Sequence, residues 1–271
     1  LPAPASPQGV SMLPEWNHIP MYAVLALLGA GAAWFYVHHR LRRRGENPGR
    51  TEQAFLWGVL GAMLGAKLLY LLPLLPQLAA DLPLLCTAPH SFMAKYLSGG
   101  FVFYGGLLGG LAGAWLFCKQ RRLSFDTLGR DLVPALPLFH AFGRVGCFLA
   151  GCCYGIPAPA GWLGVTFPAS AIEAPSGVPL LPVQLYEAAG CVLLFLLLDH
   201  LTDRGWPGGR LLALYLALYA VFRFLLEFLR GDAVRGSLGP LSTSQVISLA
   251  VLAGVLLAEL LHHRRNIRQR P

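Results

Sequence analysis

Seven stretches of about twenty residues, rich in Leu, Ala, Val and Phe and poor in charge, decide what this chain can become, since that length in helical form crosses the hydrocarbon of a bilayer. They fall near 20–39, 54–78, 100–118, 126–149, 184–201, 211–229 and 243–261. Of 271 residues, 55% are hydrophobic and 13% charged, which argues against a large water-soluble core. Lipid cannot satisfy a free backbone N–H or C=O, so the spans are expected to be helices. The expected fold class is therefore an all-α membrane protein with about seven transmembrane helices.

Basic residues set the orientation. With the N-terminus outside, the cytoplasmic segments carry Arg40, Arg42, Arg43, Arg44 and Arg50, then Lys119, Arg121 and Arg122, then Arg204 and Arg210, then Arg264, Arg265, Arg268 and Arg270; the outer side carries only Lys95 and Arg235. Such an excess in short loops marks the inner side, so the N-terminus is expected on the outer side and the C-terminus in the cytoplasm. The formal charge of +8, from 21 basic against 13 acidic residues, is then mostly a topology signal with some attraction to anionic headgroups. It carries no nucleic-acid footprint.

The first eighteen residues lack a basic start and an apolar core, so no cleavable signal sequence is expected there. Leu1–Ser11 reads as an appended stretch, with Met12 as the native start. The expected organisation is a lead over 1–18, a single seven-helix membrane domain over 19–262, and a basic cytoplasmic tail over 263–271. The long loops, 79–99 and 150–183, both fall outside. The second is studded with Pro and Gly around strand-like pieces such as 162–167, which predicts a small outer cap within the domain.

The chemistry concentrates in one run, His140-Ala-Phe-Gly-Arg144-Val-Gly-Cys147-Phe-Leu-Ala-Gly-Cys152-Cys153-Tyr154-Gly155. A guanidinium does not shed its proton, and holding it near hydrocarbon costs several kcal/mol unless an anion or carbonyls receive it. His140, Arg144 and Cys147 follow i, i+4, i+7 spacing and share one helical face. His140 is thus a candidate base, although a lone helical histidine is also an ordinary packing residue. In the sixth span Tyr215, Tyr219, Arg223 and Glu227 recur every four residues, with Arg230 three further on, predicting one helical stripe. An Arg223–Glu227 ion pair would leave Arg230 as an available cation. Arg144 and Arg230, each near the outer end of its span, then form a candidate phosphate clamp; snorkelling to outer headgroups is the plainer alternative for each. Gly61 and Gly65, with Gly105, Gly106, Gly109, Gly110 and Gly113, form small-xxx-small patterns that predict close helix packing and room for a lipid headgroup or tail.

Six blocks in order carry a resemblance: Pro20-Met-Tyr22, Gly99-Gly-Phe-Val-Phe-Tyr104-Gly105-Gly106, Gly143-Arg144-Val-Gly-Cys147-Phe, Pro182-Val-Gln184-Leu-Tyr186-Glu187, Arg223-Phe-Leu-Leu-Glu227-Phe-Leu-Arg230 and Leu241-Ser-Thr-Ser-Gln245. Together they resemble the prolipoprotein diacylglyceryl transferases, from the first span to the last. The resemblance implies a multi-pass bacterial inner-membrane enzyme with its active site towards the periplasm. Such enzymes move the diacylglyceryl group of phosphatidylglycerol onto the lipobox cysteine of a preprolipoprotein and release glycerol 1-phosphate. It also implies that Arg144 and Arg230 are the family's essential arginines, Tyr22 its first-helix tyrosine and Gly155 the closing glycine of its signature. The block of Gln184, Tyr186 and Glu187 would help to shape the cavity. Substrate contacts are expected from Tyr22, Gly105, Gly106, Gly155, Gln184, Tyr186, Glu187, Arg223 and Glu227, and catalysis from Arg144, Arg230, Tyr104, Cys147 and His140. The partners expected are phosphatidylglycerol and a lipobox prolipoprotein or another thiol acceptor.

The chain departs from the family pattern in ways that bear on mechanism. Family members usually carry a histidine, proposed as a base, where this chain has Tyr104, an asparagine at Cys147, another at Ala150, and a glutamate at Cys152. A divergent, cysteine-containing member is the expectation. A thiolate attacking the glycerol carbon that bears phosphate expels a phosphomonoester, and arginines stabilise the charge growing on it. Deprotonating the thiol needs a base or a strong positive field. Tyrosine, with an ordinary pKa near 10, is a poor base.

Two other readings stand beside transfer. Cys147, acidified by Arg144, is a candidate nucleophile in a two-step mechanism, or the thiols, perhaps with Cys86, His140 or His90, serve redox or metal chemistry on an oxidising face. The spacing C-x4-C-C matches no standard zinc or haem pattern, so neither a metal nor another cofactor is expected. Cys118 and Cys191 read as small buried hydrophobes. A non-catalytic lipid or lipoprotein binder is the remaining reading.

Overall fold

The computed structural model describes residues 15–16, 19–96, 102–232 and 237–268. A two-residue ladder, β1 (Glu15–Trp16) with β2 (Ile19–Pro20), leads into α1 (Met21–Arg43). Arg40, Arg42 and Arg43 lie in the last turn of α1, where positive charge suits the negative end of the helix dipole. The second apolar run is not one helix. It comprises α2 (Gly49–Leu71), a 3-10 turn over Leu72–Leu74 and α3 (Leu75–Ala80). Pro sits at the first turn of each new piece, where its missing N–H costs nothing.

The expected outer loop 79–99 holds two short helices, α4 (Leu84–Thr87) and α5 (Pro89–Tyr96). Asp81 receives Lys95 Nζ and Tyr96 Oη, each at 2.6 Å, and these hydrogen bonds, Lys95 foremost, hold its carboxyl below the ordinary range. The third expected span is α6 (Phe103–Arg121). The fourth is two helices, α7 (Phe125–Leu132) and α8 (Ala135–Ala150), interrupted at Pro134, whose ring cannot continue the helix from within. The cap 150–183 contains the antiparallel pair β3 (Val165–Thr166) and β4 (Pro179–Leu180). Then follow α9 (Val183–Asp203), α10 (Gly208–Leu226), a 3-10 turn over Glu227–Leu229, the ladder β5 (Ser237–Leu238) with β6 (Leu241–Ser242), and α11 (Thr243–Arg268).

By length and composition, six stretches among the described residues can cross a membrane: Met21–Arg43, Gly49–Ala80, Phe125–Ala150, Val183–Asp203, Gly208–Leu229 and Thr243–Leu261. The seventh expected span, 100–118, corresponds to α6, 19 residues long, which begins next to residues outside those described. The chain is an all-α membrane protein. Large apolar side chains such as Leu27, Phe35, Leu60, Leu193, Phe228 and Leu256 lie exposed, as they must to face lipid.

The chain divides into two compact units, Val37–Leu128 and the combination of Leu1–Tyr36 with Gly129–Pro271. In the first, α2 lies directly against α6. A Cβ on Gly61 would overlap the carbonyl oxygen of Gly109, one on Gly65 that of Gly105, and one on Gly113 that of Trp57. Lipid tails are as apolar as Leu, so helices in a membrane gain most from such close backbone contact.

In the second unit α8 packs on α9, α9 on α10, and α10 on α11. Val133, Leu194, Leu198, Leu211 and Tyr215 form its core. Phe167, Ala174 and Leu180 form a smaller core in the cap, with Phe148 and Tyr154 against it. The cap is tied to the chain beyond α10: Ile156 N donates to Leu229 O at 2.9 Å, and Gly231 N to Tyr154 O at 3.1 Å.

The expected five-residue stripe on the sixth span ends early. Past Leu226 the helix tightens to 3-10, and Arg230 takes an extended conformation with φ −84° and ψ 140°. It therefore lies off the stripe, bridged in antiparallel fashion to Gly155. The 3-10 turn changes the angular spacing per residue, which breaks the periodicity read from the sequence.

Candidate active site

Arg144 is carried by α8, one turn after His140. Its Nε donates to His140 Nε2 at 3.2 Å, and its Nη2 lies 3.1 Å from Glu187 Oε1 on α9. Arginine is only a donor, so His140 Nε2 must be the acceptor in this pair. The Glu187 side chain is 2% exposed. A buried carboxylate needs such company: Tyr219 Oη donates to Oε1 at 2.6 Å, while His140 Nε2 at 3.9 Å and Arg223 Nε at 4.0 Å stand further off. Glu187 thus collects groups from α8 and α10 around one carboxyl oxygen.

The second centre follows α10. Arg223 Nη1 lies 2.6 Å from Glu227 Oε2, as the i, i+4 spacing predicts, although the pair lacks hydrogen-bond alignment. Arg223 Nη2 also donates to Ser244 Oγ of α11 at 3.0 Å. The expectation of an available Arg230 is corrected here. Its Nε and Nη2 reach Asp232 Oδ1 and Oδ2 at 2.9 and 2.6 Å, a bidentate pair with both side chains 4% exposed. Sequence reasoning missed Asp232 because a carboxylate two residues along faces away from the arginine on a helix and reaches it only when the chain is extended.

The third group is the thiols. The Sγ atoms of Cys147, Cys152 and Cys153 all lie within 4.8 Å of one another, and no disulfide joins any of the six cysteines. Gly151 closes α8 in the left-handed conformation at φ 69°, and Cys153 takes φ 61°, a region few non-glycine residues enter. Backbone Cys152 N donates to Cys147 O at 3.1 Å, and Gln184 Nε2 to Cys152 O at 2.7 Å. Cys152 lies just beyond the apolar span, and hydrogen bonding with Cys147 and Cys153, together with burial, raises the pKa of its thiol. Arg144 interacts electrostatically with Cys147 and Cys153, and Arg230 with Cys153. Cys118 and Cys191 are buried.

Tyr22, in the first turn of α1, lies within electrostatic reach of Arg144 and of the same three cysteines. A Cβ on Gly146 would come within 3.2 Å of its ring, so the bare glycine lets Tyr22 lie across α8. Gly155 is needed for fit: a Cβ there would press on Leu181 O and Val183 Cγ2. Its backbone, bridged to Arg230, helps to fix that arginine. Gln184 is 1% exposed and its Oε1 has no hydrogen-bond partner among the described residues. Tyr186 is partly buried on α9.

Tyr22, His140, Arg144, Cys147, Gln184, Glu187, Arg223, Glu227 and Arg230 thus belong to one unit with Gly155 and Tyr186. Gly105 and Gly106 belong to the other, where a Cβ on Gly105 would overlap Gly65 O and one on Gly106 would lie 3.6 Å from Ala62 O. The side chain of Tyr104 lies outside the described residues. In the sequence Tyr219 reads only as a member of the stripe, because its hydrogen bond to Glu187 depends on the neighbouring helix α9.

The profile of the family described as prolipoprotein diacylglyceryl transferase matches residues 12–260. A Clostridium tetani protein named phosphatidylglycerol--prolipoprotein diacylglyceryl transferase is 36% identical over 246 residues, covering 90% of this chain and 94% of its own. A Clostridium perfringens protein of that name, numbered 2, is 35% identical over 87% and 88%, and one from Geobacter sulfurreducens is 34% identical over 90% and 91%. With its profile matched across nearly the whole chain and the ordered arginine blocks built into one buried network, this chain belongs to the prolipoprotein diacylglyceryl transferase family.

Proposed function

We propose that this chain transfers the diacylglyceryl group of phosphatidylglycerol to the cysteine thiol of a prolipoprotein, releasing glycerol 1-phosphate. The names of the relatives supply the substrates. The observation that carries the reading is a chain of ion pairs linking the two arginines: Arg144 lies 3.1 Å from Glu187, Arg223 stands 4.0 Å from Glu187 and 2.6 Å from Glu227, and Arg230 lies 3.9 Å from Glu227, so two permanent cations from different elements belong to one buried network. Glu187 and Asp232 fix the two guanidinium groups, and the remaining N–H donors receive the lipid phosphate. As the C–O bond breaks, negative charge gathers on the departing phosphate, where prearranged donors lower the barrier.

Gln184 Oε1 offers an acceptor for a hydroxyl of the glycerol headgroup, which favours phosphatidylglycerol over lipids without one. His140 serves to orient Arg144, because its Nε2 lone pair is engaged by that guanidinium. Family membership supports a bacterial inner-membrane setting, and the excess of basic residues in alternate loops supports an orientation with this site towards the periplasm. The test is mass spectrometry of a lipobox peptide incubated with purified protein and phosphatidylglycerol vesicles. Addition of a diacylglyceryl mass to the cysteine supports the reading; lipid binding with no mass gain contradicts it.

A further inference from the structure

The reading above leaves the incoming thiol without a base, since Tyr104 stands where the family has its histidine and His140 is occupied. The geometry points to an answer in the thiols: we propose that Cys147, Cys152 and Cys153 bind one Zn2+ whose fourth position takes the acceptor cysteine. The inference rests on the transferase reading only for that fourth ligand. Zinc with sulfur ligands at about 2.3 Å in a tetrahedron sets sulfur atoms roughly 3.8 Å apart. Three Sγ atoms already within 4.8 Å need only small rotamer adjustments to match it.

The scaffold supports a prearranged site. Cys147 sits on α8, the left-handed Gly151 turns the chain back, and Cys153 itself holds φ 61°. Backbone strain at a non-glycine residue persists where its surroundings enforce it. Here Gln184 clamps the carbonyl of Cys152, and the amide of Cys153 approaches Glu173 Oε2 at 3.5 Å. The sequence spacing hides this arrangement, because the turn after α8, rather than a C-x2-C knuckle, brings the sulfurs together.

A site with three protein ligands and an open fourth position is the catalytic form of zinc, and a thiol that coordinates it is deprotonated outright. The acceptor thiol would enter as the fourth ligand and lose its proton to water. Its sulfur would form a bond to the glyceryl carbon that bears phosphate, the C–O bond would break, and the electron pair would leave with the phosphate oxygen. The phosphomonoester takes up the proton, and no electron is exchanged with the ion. Zinc thus does the work of the missing base.

The test uses the full-length protein purified in detergent without chelator. Elemental analysis should give about one zinc per chain, reduced at least about tenfold in C147S/C152S/C153S and retained in C118S/C191S. Should the triple variant not fold, the wild-type chain still decides: zinc loading should shield Cys147, Cys152 and Cys153, but not exposed Cys86, from alkylation. With Co2+ in place of zinc, a lipobox peptide should change the visible spectrum and its Cys→Ser analogue should not. Equal alkylation with and without zinc, a disulfide in the intact mass, or a spectrum indifferent to the peptide would overturn the inference. Transfer by metal-free protein sinks the zinc site and leaves the transferase reading standing; no transfer by fully loaded protein does the reverse.

Discussion

Arg144 and Glu187, on neighbouring helices, form an ion pair of 3.1 Å in which the carboxylate side is 2% exposed. Replacing Glu187 by Gln keeps the shape and removes the charge. Breaking one partner of a buried pair costs about 3 to 5 kcal/mol, and the Tyr219 hydroxyl is left with an amide oxygen in place of a carboxylate as its acceptor. Glu187→Gln should therefore lower the thermal midpoint in detergent by several degrees and reduce transfer at least about tenfold; a variant as stable and active as the parent would remove Glu187 from the network.

Asp232 holds Arg230 through two parallel hydrogen bonds in a site with both side chains 4% exposed. Asp232→Asn keeps one acceptor oxygen and leaves the guanidinium short of a counterion, at a similar cost of about 3 kcal/mol. Transfer should fall while Asp232→Glu recovers part of it, measured with the same peptide assay. Equal loss in both variants would mean that only the local turn was disturbed.

The glycines facing one another across α2 and α6 give a test of packing alone. Gly65→Ala should place its methyl against the Gly105 carbonyl and reduce the yield of monodisperse protein severalfold, whereas Gly254→Ala, with open space around the new methyl, should be neutral. Size-exclusion profiles of the two variants compare them directly.

The helices and the Arg223–Glu227 pair were legible in the sequence because both rest on period and local spacing. The spans near 54–78 and 126–149 gave up their continuity at prolines that a hydropathy reading passes over. Helical spacing puts Arg230 at the outer end of its span but does not reveal its partner, since a 3-10 turn and an extended residue bring Asp232 within reach. The convergence of Cys147 with Cys152 and Cys153 was equally hidden. It depends on two left-handed residues, Gly151 and Cys153, and on Gln184 thirty-two residues away from Cys152, which no spacing rule anticipates.

Gln184 tests how the headgroup is recognised. Gln184→Met fills the same volume and deletes Oε1 along with the bond to Cys152 O. A lost hydrogen bond to a neutral partner is worth about 1 kcal/mol, so KM for phosphatidylglycerol should rise roughly fivefold, while the lost clamp on Cys152 O lowers kcat as well. An unchanged KM would show that Oε1 does not meet the lipid.

The account depends most on Arg144, whose planar fork reaches His140 and Glu187 and, in the proposed function, the lipid phosphate. A lysine keeps the charge and cannot reproduce that geometry. The direct measurement is the rate of diacylglyceryl addition to a lipobox peptide by Arg144→Lys, with folding verified. The account predicts a fall of at least about a hundredfold, close to 2.7 kcal/mol of transition-state stabilisation; a rate within twofold of the parent would contradict it.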